Sequence, residues 1–303
     1  MASSFLIMVL MMGAVAFFIV IERKGLGMLQ RRQGPNKVGF KGLVQPLADG
    51  VKLFKKEYEY PYGMNMYSYG FGPLVVFSCA FSLYLIFPVS FPTVQYELGM
   101  WFFLSVSCFS VYGVIFTGWM SNSRYAFLGA MRAVAQSISY EVYMSTCLFG
   151  VLLLVGSYDL KVIQMNHYLS VCVGWVSLCL WLISVLAETN RAPFDFVEGE
   201  SELVAGYMTE VGGVGFALLA LGEYSNMMFM ATLTSILFLS PLLGSGPFGV
   251  LFFSFWVVLF SYGFVWVRAT VPRYRYDLLM DLCWKVLLPL SLGVLVLLLG
   301  LAS

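Results

Sequence analysis

Eight apolar runs, each near the length of a membrane-spanning helix, constrain what this 303-residue chain can fold into. A helix needs about 20 apolar residues to cross the hydrocarbon core of a bilayer. With 11% charged residues and a mean hydropathy of +0.85, the chain has too little polar surface to cover its apolar mass in water. The sequence therefore predicts an all-α polytopic membrane protein, with about eight transmembrane helices in a single membrane domain over residues 1–303. The runs lie near residues 4–21, 70–89, 99–119, 134–155, 170–187, 206–238, 248–267 and 286–301.

Lysine and arginine predict the orientation of these helices. Nine lie between the first two runs, two between the third and fourth, one between the fifth and sixth, and four around the last loop, residues 268–285. They all fall on one side, whereas Lys161 alone falls on the other. By the positive-inside rule, the basic face is the cytoplasm or, in a mitochondrion, the matrix. The same count favours one long helix over two short ones for 206–238, because a second crossing would move the last basic loop to the opposite face.

The N-terminus predicts a retained first helix. It has no basic residues before its apolar run and no small-residue cleavage site after it, so a signal peptide is not favoured. An Arg-rich amphipathic presequence is also missing, which fits synthesis inside an organelle.

Cysteine and histidine usage argues against metal sites. The six cysteines lie scattered in apolar segments without a CxxC pair, and His167 is the only histidine. This pattern favours neither a disulfide framework nor an iron–sulfur cluster, and it does not allow a bis-His haem or a His-based zinc site.

The largest non-spanning segment, residues 22–69, contains a predicted amphipathic helix. Its apolar side chains recur at helical spacing and its lysines would face lipid phosphates or a docked partner, two alternatives that the sequence leaves open. The apolar positions are Leu43, Leu47, Val51 and Phe54.

Acidic residues inside the apolar runs are the strongest functional signal. A carboxylate at the centre of a helix costs about 2.5 to 3.5 kcal/mol on insertion scales, so each needs a partner, a wet cavity or a proton. We assign Glu141 to helix four, Glu188 to the end of helix five, and Glu210 and Glu223 to helix six; Glu22 closes helix one.

Helix four carries a polar stripe of Gln136, Ser137, Tyr140 and Glu141. Such a stripe faces other helices or water, so it serves either helix–helix hydrogen bonding or a proton or ion path. In helix six, Glu210 and Glu223 lie roughly 220° apart on an ideal helix. Either the glycines at 212, 213 and 215 redirect one of them, or only one lies in such a path.

The segment ETNRAPFDFVEGESELV, within the acidic loop of residues 188–205, concentrates five acids around a single arginine, Arg191. Pro193 and Gly199 interrupt helical continuity. Its cations must then come from the basic loops on the same face. We expect an acidic loop packed against Arg-rich segments; the alternative is a solvated loop, which the presence of Phe194, Phe196 and Val197 among its acids disfavours.

Five long motifs resemble, closely and in order, the subunit 1 family of NADH:ubiquinone oxidoreductase, respiratory complex I. The resemblance covers nearly the full chain, and the 17 methionines and missing presequence are similar to its mitochondrially encoded members. The motifs are ERKGLGMLQRRQGPNKVG, LADGVKLFKKE, GAMRAVAQSISYEV, AETNRAPFDFVEGESELVAGY and VPRYRYDLLMDLCWK.

This resemblance implies an eight-helix core subunit in the mitochondrial inner membrane, with its basic loops on the matrix side. In the family, this subunit adjoins the peripheral arm and forms part of the ubiquinone entrance and tunnel. It also couples quinone reduction to proton translocation. Ubiquinone is then a substrate, and FMN and the iron–sulfur clusters belong to partner subunits of the membrane and peripheral arms. No nucleic acid is implied, and the chain binds no cofactor by itself.

The resemblance also assigns residues to roles. Buried proton-path positions are matched by Glu141, Glu188, Glu210, Glu223 and Tyr224. The quinone-side acidic loop is matched by Asp195, Glu198, Glu200 and Glu202. Positions facing the chamber or the peripheral arm are matched by Arg32, Asp49, Arg132, Arg191, Arg273 and Arg275. Gln33 departs from the lysine that many members carry, so we assign it no charge role.

Two other functions are compatible with the residues. A free-standing proton or cation transporter would also use buried acids, but the chain shows no evident duplicated halves and its acids lie toward one end. A purely structural anchor for a peripheral arm would explain the basic loops and leave the buried glutamates unexplained.

Overall fold

The computed structural model describes residues 2–57, 61–88, 96–165, 175–196, 206–239 and 247–302. Its helices confirm the prediction of an all-α polytopic membrane protein. Within these ranges, seven helices are long and apolar enough to cross a bilayer. Trp175–Glu188 is a shorter apolar helix, and the start of the run that predicted it falls among residues that are not described.

We number the helices in chain order. They are α1 (Ala2–Leu29), α2 (Gln45–Lys55), α3 (Met66–Ser82), α4 (Gly99–Met120), α5 (Arg124–Val155), α6 (Leu160–Met165), α7 (Trp175–Glu188), α8 (Gly213–Thr234), α9 (Pro247–Thr270), α10 (Tyr276–Leu282) and α11 (Leu288–Ala302). The π-helical turn Ser235–Leu239 extends α8, and Cys283–Leu287 joins α10 to α11.

Several helices extend beyond the apolar runs that predicted them. The first helix continues to Leu29, and α5 starts at Arg124, where the Ser123 side chain accepts a hydrogen bond of 3.3 Å from the Ala126 amide. An apolar run marks the part of a helix that lies in hydrocarbon, not the point where backbone hydrogen bonding stops. The prediction that Glu22 closes the first helix is therefore wrong, because Glu22 lies about two turns before its end.

The long run at 206–238 forms one helix, as the charge count predicts, but α8 starts only at Gly213. Gly213 has a positive φ of 54°, which an α-helix does not use, so the chain cannot enter the helix earlier. The preceding residues form the short 3₁₀ turn Gly206–Met208 and a further turn. Glu210 lies in that turn and is exposed, so its assignment to the sixth spanning helix is wrong.

Contacts between loops place the basic segments at one end of the bundle. Arg23 of α1 pairs with Asp49 of α2 at 2.6 Å, and the Tyr274 amide donates to the Pro193 carbonyl at 3.1 Å. At the other end, the Met100 amide donates to the Tyr158 carbonyl at 3.1 Å, three residues before Lys161. This grouping is the one that the distribution of lysine and arginine predicts.

The predicted amphipathic helix is present as α2. Besides pairing with Arg23, Asp49 accepts a 2.8 Å hydrogen bond from the Gln45 side chain, and this fixes α2 against the end of α1. The predicted apolar positions point away from the bundle: Leu43, in the turn before α2, and Leu47, Val51 and Phe54 are between 52% and 70% exposed. The alternatives of lipid or partner protein for this face stay open.

Small residues let α3 and α4 approach closely. A Cβ at Gly72 would lie 2.9 Å from the Thr117 amide nitrogen and 3.0 Å from the Gly113 carbonyl oxygen, closer than real Cβ contacts allow. Small residues at helix interfaces are a common means of association in membranes, where lipid tails provide no hydrophobic driving force between helices. The largest buried cluster lies beyond this contact, where α5 packs Tyr143 and Met144 against Trp181 of α7.

We predict opposite effects of alanine at two glycines of α3. Gly72→Ala should destabilise the protein by about 1–3 kcal/mol because a backbone–backbone contact must widen. Gly70→Ala should be neutral or stabilising by up to about 1 kcal/mol, since nothing lies within 4 Å of its Cβ and alanine favours helix. Thermal unfolding midpoints of the detergent-solubilised variants measure both effects. A lower midpoint for Gly70→Ala than for Gly72→Ala would contradict the packing argument.

Candidate functional site

Buried and half-buried polar and charged side chains form two groups toward the basic end of the bundle. The Glu22 cluster joins α1, the turn after α7, α8 and α9, and consists of Glu22, Arg191, Glu223, Tyr224 and Arg268. The Glu141 seam lies where α4, α5 and α7 meet, and consists of Ser107, Gln136, Tyr140, Glu141 and Glu188.

Gln136 fastens the end of α7 to α5. Its side-chain nitrogen donates to the backbone carbonyls of Ala187 and Phe194, each at 2.9 Å, and the side chain is fully buried. Gln136 thus donates to one backbone carbonyl before and one backbone carbonyl after the turn that follows Glu188. For this residue of the polar stripe, the hydrogen-bonding alternative holds.

Glu141 and Glu188 lie close enough to interact electrostatically across the seam. Ser107 of α4 lies within hydrogen-bonding distance of Glu141 Oε1, at 3.1 Å. Among the described residues, neither Glu188 Oε2 nor the buried hydroxyl of Tyr140 has a hydrogen-bond partner. A buried carboxyl without a protein partner is costly as an anion and favours either protonation or contact with water.

Glu22 is a buried acid that pairs with two arginines through one carboxylate oxygen, while its Oε2 has no hydrogen-bond partner among the described residues. It is 3% exposed, and its Oε1 accepts from Arg191 Nη1 at 3.2 Å and also from Arg268 Nη1. The two arginines come from the turn after α7 and from the last turn of α9. Charge-assisted hydrogen bonds of this kind are about twice as strong as neutral ones, and buried ones tolerate the loss of a partner poorly.

Arg191 lies at the centre of the Glu22 cluster and is 7% exposed. Its guanidinium carbon stands 4.4 Å from the centroid of the Tyr224 ring, a cation–π distance. Burial acts to lower the pKa of Arg191, but the adjacent Tyr224 and the carboxyls of Glu22 and Glu223 outweigh it and raise this pKa above its ordinary value. The guanidinium therefore remains a fixed positive charge.

Glu223 connects this cluster to the short turn that precedes α8. The Tyr207 hydroxyl donates to Glu223 Oε1 at 2.7 Å, and Tyr207 itself is buried. Glu223 is half-buried. Its carboxyl has the Tyr207 hydroxyl as a donor and the charge of Arg191 nearby.

The first part of the acidic loop packs against the basic loop, as the sequence predicts. Phe194 and Phe196 are buried, and their rings lie 5.9 Å from Tyr274 and 6.0 Å from Tyr276, respectively. The guanidinium carbon of Arg273 stands 5.2 Å from the Phe196 ring centroid. For residues 191–196 the packed alternative is confirmed over the solvated one.

The other predicted site residues occupy different places. Asp195 is half-buried in this loop, whereas Glu198, Glu200 and Glu202 lie outside the described residues. Arg132 is half-buried on α5. Arg32 is exposed and bonds Gln30 at 2.8 Å, and Arg275 forms an exposed pair with Asp277 at 3.2 Å. Glu210 is exposed and is not part of either group.

No sequence pattern assigns a functional role to Glu22, Arg268, Ser107 and Tyr207. A signal for Glu22 is present, because it is a lone acid within helical reach of a long apolar run. The sequence places it at the end of helix one, whereas α1 continues past it to Leu29. No comparable signal exists for Tyr207, whose contact with Glu223 depends on the turn that the glycines impose.

The described cysteines fit no cluster site. Cys79, Cys108, Cys147, Cys179 and Cys283 are all free thiols, and the described ranges contain no group of three or more metal-ligating side chains. Cys172 and His167 lie outside them.

Comparisons with known proteins cover almost the entire chain. Residues 2–299 match the protein family described as NADH dehydrogenase. The chain is 50% identical over 285 residues to the NADH-ubiquinone oxidoreductase chain 1 of Heterololigo bleekeri, covering 93% of this chain and 90% of that protein. It is 46% identical to the protein of the same name from Aedes aegypti, covering 98% and 94%. For that of Lampetra fluviatilis the identity is 44%, covering 100% and 96%.

We predict that Gln136→Leu lowers stability by about 1–3 kcal/mol, because the carbonyls of Ala187 and Phe194 lose their buried donor. The matched control is Ser137→Ala, whose hydroxyl bonds only the Val134 carbonyl of its own helix, and a change within about 0.5 kcal/mol is expected there. Thermal midpoints and protease sensitivity near residue 191 measure the difference. Equal stability of the two variants would show that the hydrogen bonds of Gln136 do not contribute to the stability of the protein.

Proposed function

The chain belongs to the NADH dehydrogenase family, and on that premise we propose that it lines part of the ubiquinone entrance and tunnel of its enzyme and couples quinone reduction to proton translocation. It is a core membrane subunit of an NADH:ubiquinone oxidoreductase, and its partners are the other subunits of that complex. We further propose that the chain lies in the mitochondrial inner membrane, with its basic loops on the matrix side.

The observation that carries the proposal is the arrangement of acids in the Glu141 seam. Glu188 and Glu141 interact at a junction of three helices, and Glu188 Oε2 has no partner among the described residues. An acid that served only to hold helices together would be paired with cations, as Glu22 is through its Oε1. A carboxyl without a counter-ion is suited to take up and release a proton when the charge around it changes.

The residues divide the chemistry between them. In this proposal FMN and iron–sulfur clusters on partner subunits carry the electrons, and the cysteines in the described ranges are free thiols that form no ligand cluster. Ubiquinone is the substrate. Charge formed on quinone reduction acts on the acidic loop of residues 188–205, which includes Asp195. That loop is bound to the seam by Gln136, so a change in its charge alters the field at Glu188.

Two acid groups then provide proton-carrying positions. One is the Glu188–Glu141 pair, and the other is Glu223, whose carboxyl contacts the Tyr207 hydroxyl and lies near Arg191 and Tyr224. Glu210 is exposed, which favours a role at the surface of the bundle and not within it. Arg273 and Arg191 supply fixed positive charge beside the loop.

The first test is whether the chain occurs in an NADH-active assembly. Native membranes are extracted gently, separated on a native gel and stained for NADH dehydrogenase activity, and peptides of this chain are sought in the active band. We expect the chain in a very large assembly that is sensitive to quinone-site inhibitors. Migration as a small oligomer without dehydrogenase activity would favour the free-standing transporter, and ion flux in liposomes would then measure it.

We predict that Glu188→Gln leaves assembly intact and lowers inhibitor-sensitive quinone reduction and proton pumping by about tenfold or more, since positioned proton transfer contributes roughly 10²–10⁴-fold. Glutamine keeps the size of the side chain and removes its ionisation. The control is Glu97→Gln, an exposed acid at the opposite end of the bundle, for which wild-type turnover is expected. Unchanged pumping and turnover in Glu188→Gln would contradict the relay.

A further inference from the structure

We propose that Glu22 is a positioning residue. Its carboxylate holds Arg191 on the Tyr224 ring and neutralises the charge of Arg268. As a result, Glu223 stays able to exchange a proton. The inference rests on the proposed function only in taking Glu223 as a proton carrier. The contacts of Glu22 themselves do not depend on that function.

The contacts of Glu22 join three parts of the chain that are far apart in sequence. Arg191 and Arg268 are 169 and 246 residues away, and both donate to the same oxygen, Oε1. Glu22 is 3% exposed and lies inside α1, so its position is set by a long packed helix. Both arginines are therefore held by one rigidly placed acceptor.

The charges of the Glu22 cluster balance. Glu22 and Glu223 are the acids, Arg191 and Arg268 are the bases, and Arg191 interacts with both acids. Without the Glu22 carboxylate, the cluster would hold two guanidinium groups, of which that of Arg191 is buried, and a single acid. The net positive charge would then stabilise Glu223 as a permanent anion. A carboxylate beside uncompensated positive charge does not exchange its proton readily.

The backbone of Arg191 extends this effect to the acidic loop. Its amide donates to the Leu186 carbonyl at 3.2 Å, and its carbonyl accepts from the Phe194 amide at 2.8 Å. Holding the side chain of Arg191 therefore also holds the turn from which the loop starts. Gln136 binds the same turn from the side of α5.

The test compares Glu22→Gln, Arg268→Gln and the double variant in the assembled complex. Two quantities are measured: amide hydrogen exchange over residues 189–196, and inhibitor-sensitive quinone reduction. In Glu22→Gln we expect exchange to rise several-fold and turnover to fall about tenfold, because the buried Arg191 and the half-buried Arg268 lose their shared partner. In the double variant we expect most of the turnover to return, since Arg191 and Glu223 are again balanced. Arg268→Gln alone should have a small effect, because Glu22 keeps Arg191.

Rescue by the second substitution separates positioning from general damage. Two independent losses of packing would add, whereas members of one charge network show coupling. The control is Asp281→Asn, which breaks the exposed pair with Lys285 at 2.8 Å and should leave exchange and turnover unchanged. If Glu22→Gln fails to assemble, recovery of assembly in the double variant supports the proposal and its failure overturns it.

Three results would overturn the inference: unchanged exchange over residues 189–196 in Glu22→Gln, wild-type turnover in that variant, or a double variant no more active than the single one. The exchange measurement does not require quinone reduction. If the chain is absent from the NADH-active assembly, the proposed function fails while the exchange result still tests the Glu22–Arg191 contact. If the chain is present and exchange is unchanged, only the inference fails.

Discussion

A bilayer offers no hydrogen-bond partners and little solvation for charge, and the structure follows from how the chain meets that constraint. Its backbone polar groups are satisfied within helices, as any membrane-spanning segment requires. Its buried side-chain charges are either matched with opposite charge or placed where helices meet. The contact of α5 with α7 and the turn after Glu188 give polar groups partners inside the protein.

The two kinds of buried acid have different physical consequences. Glu22 accepts from two guanidinium groups and is a fixed counter-ion. Glu188 lies near Glu141 and Cys108, and its Oε2 has no hydrogen-bond partner in the described structure, so its ionisation is sensitive to changes in the local field. The ion pairs of Glu22 hold their surroundings in place, whereas Glu188 can change its ionisation when the charge around it changes. A coupling subunit needs both, because a responsive acid is useful only if its surroundings stay in place while its charge changes.

The turn after α7 brings these two arrangements together. Gln136 binds it from α5, Glu22 binds it from α1 through Arg191, and Tyr274 and Tyr276 pack on its phenylalanines from the basic loop. Each of these contacts joins segments that are far apart in sequence. The acidic loop thus starts from a well-held base, and a change in its charge acts on a structure that resists displacement.

Much of the fold was readable from one-dimensional patterns. Apolar run length and the distribution of lysine and arginine predict the spanning helices, the single helix at 206–238 and the common end of the basic loops, because the cost of burying charge in lipid acts on each segment separately. The partners of Glu22 and the hydrogen bonds of Gln136 were not readable, because they depend on contacts between segments far apart in sequence. The glycines at 212, 213 and 215 indicated that Glu210 or Glu223 could be redirected, but only the tertiary structure, with the positive φ of Gly213, shows that it is Glu210 that lies outside α8.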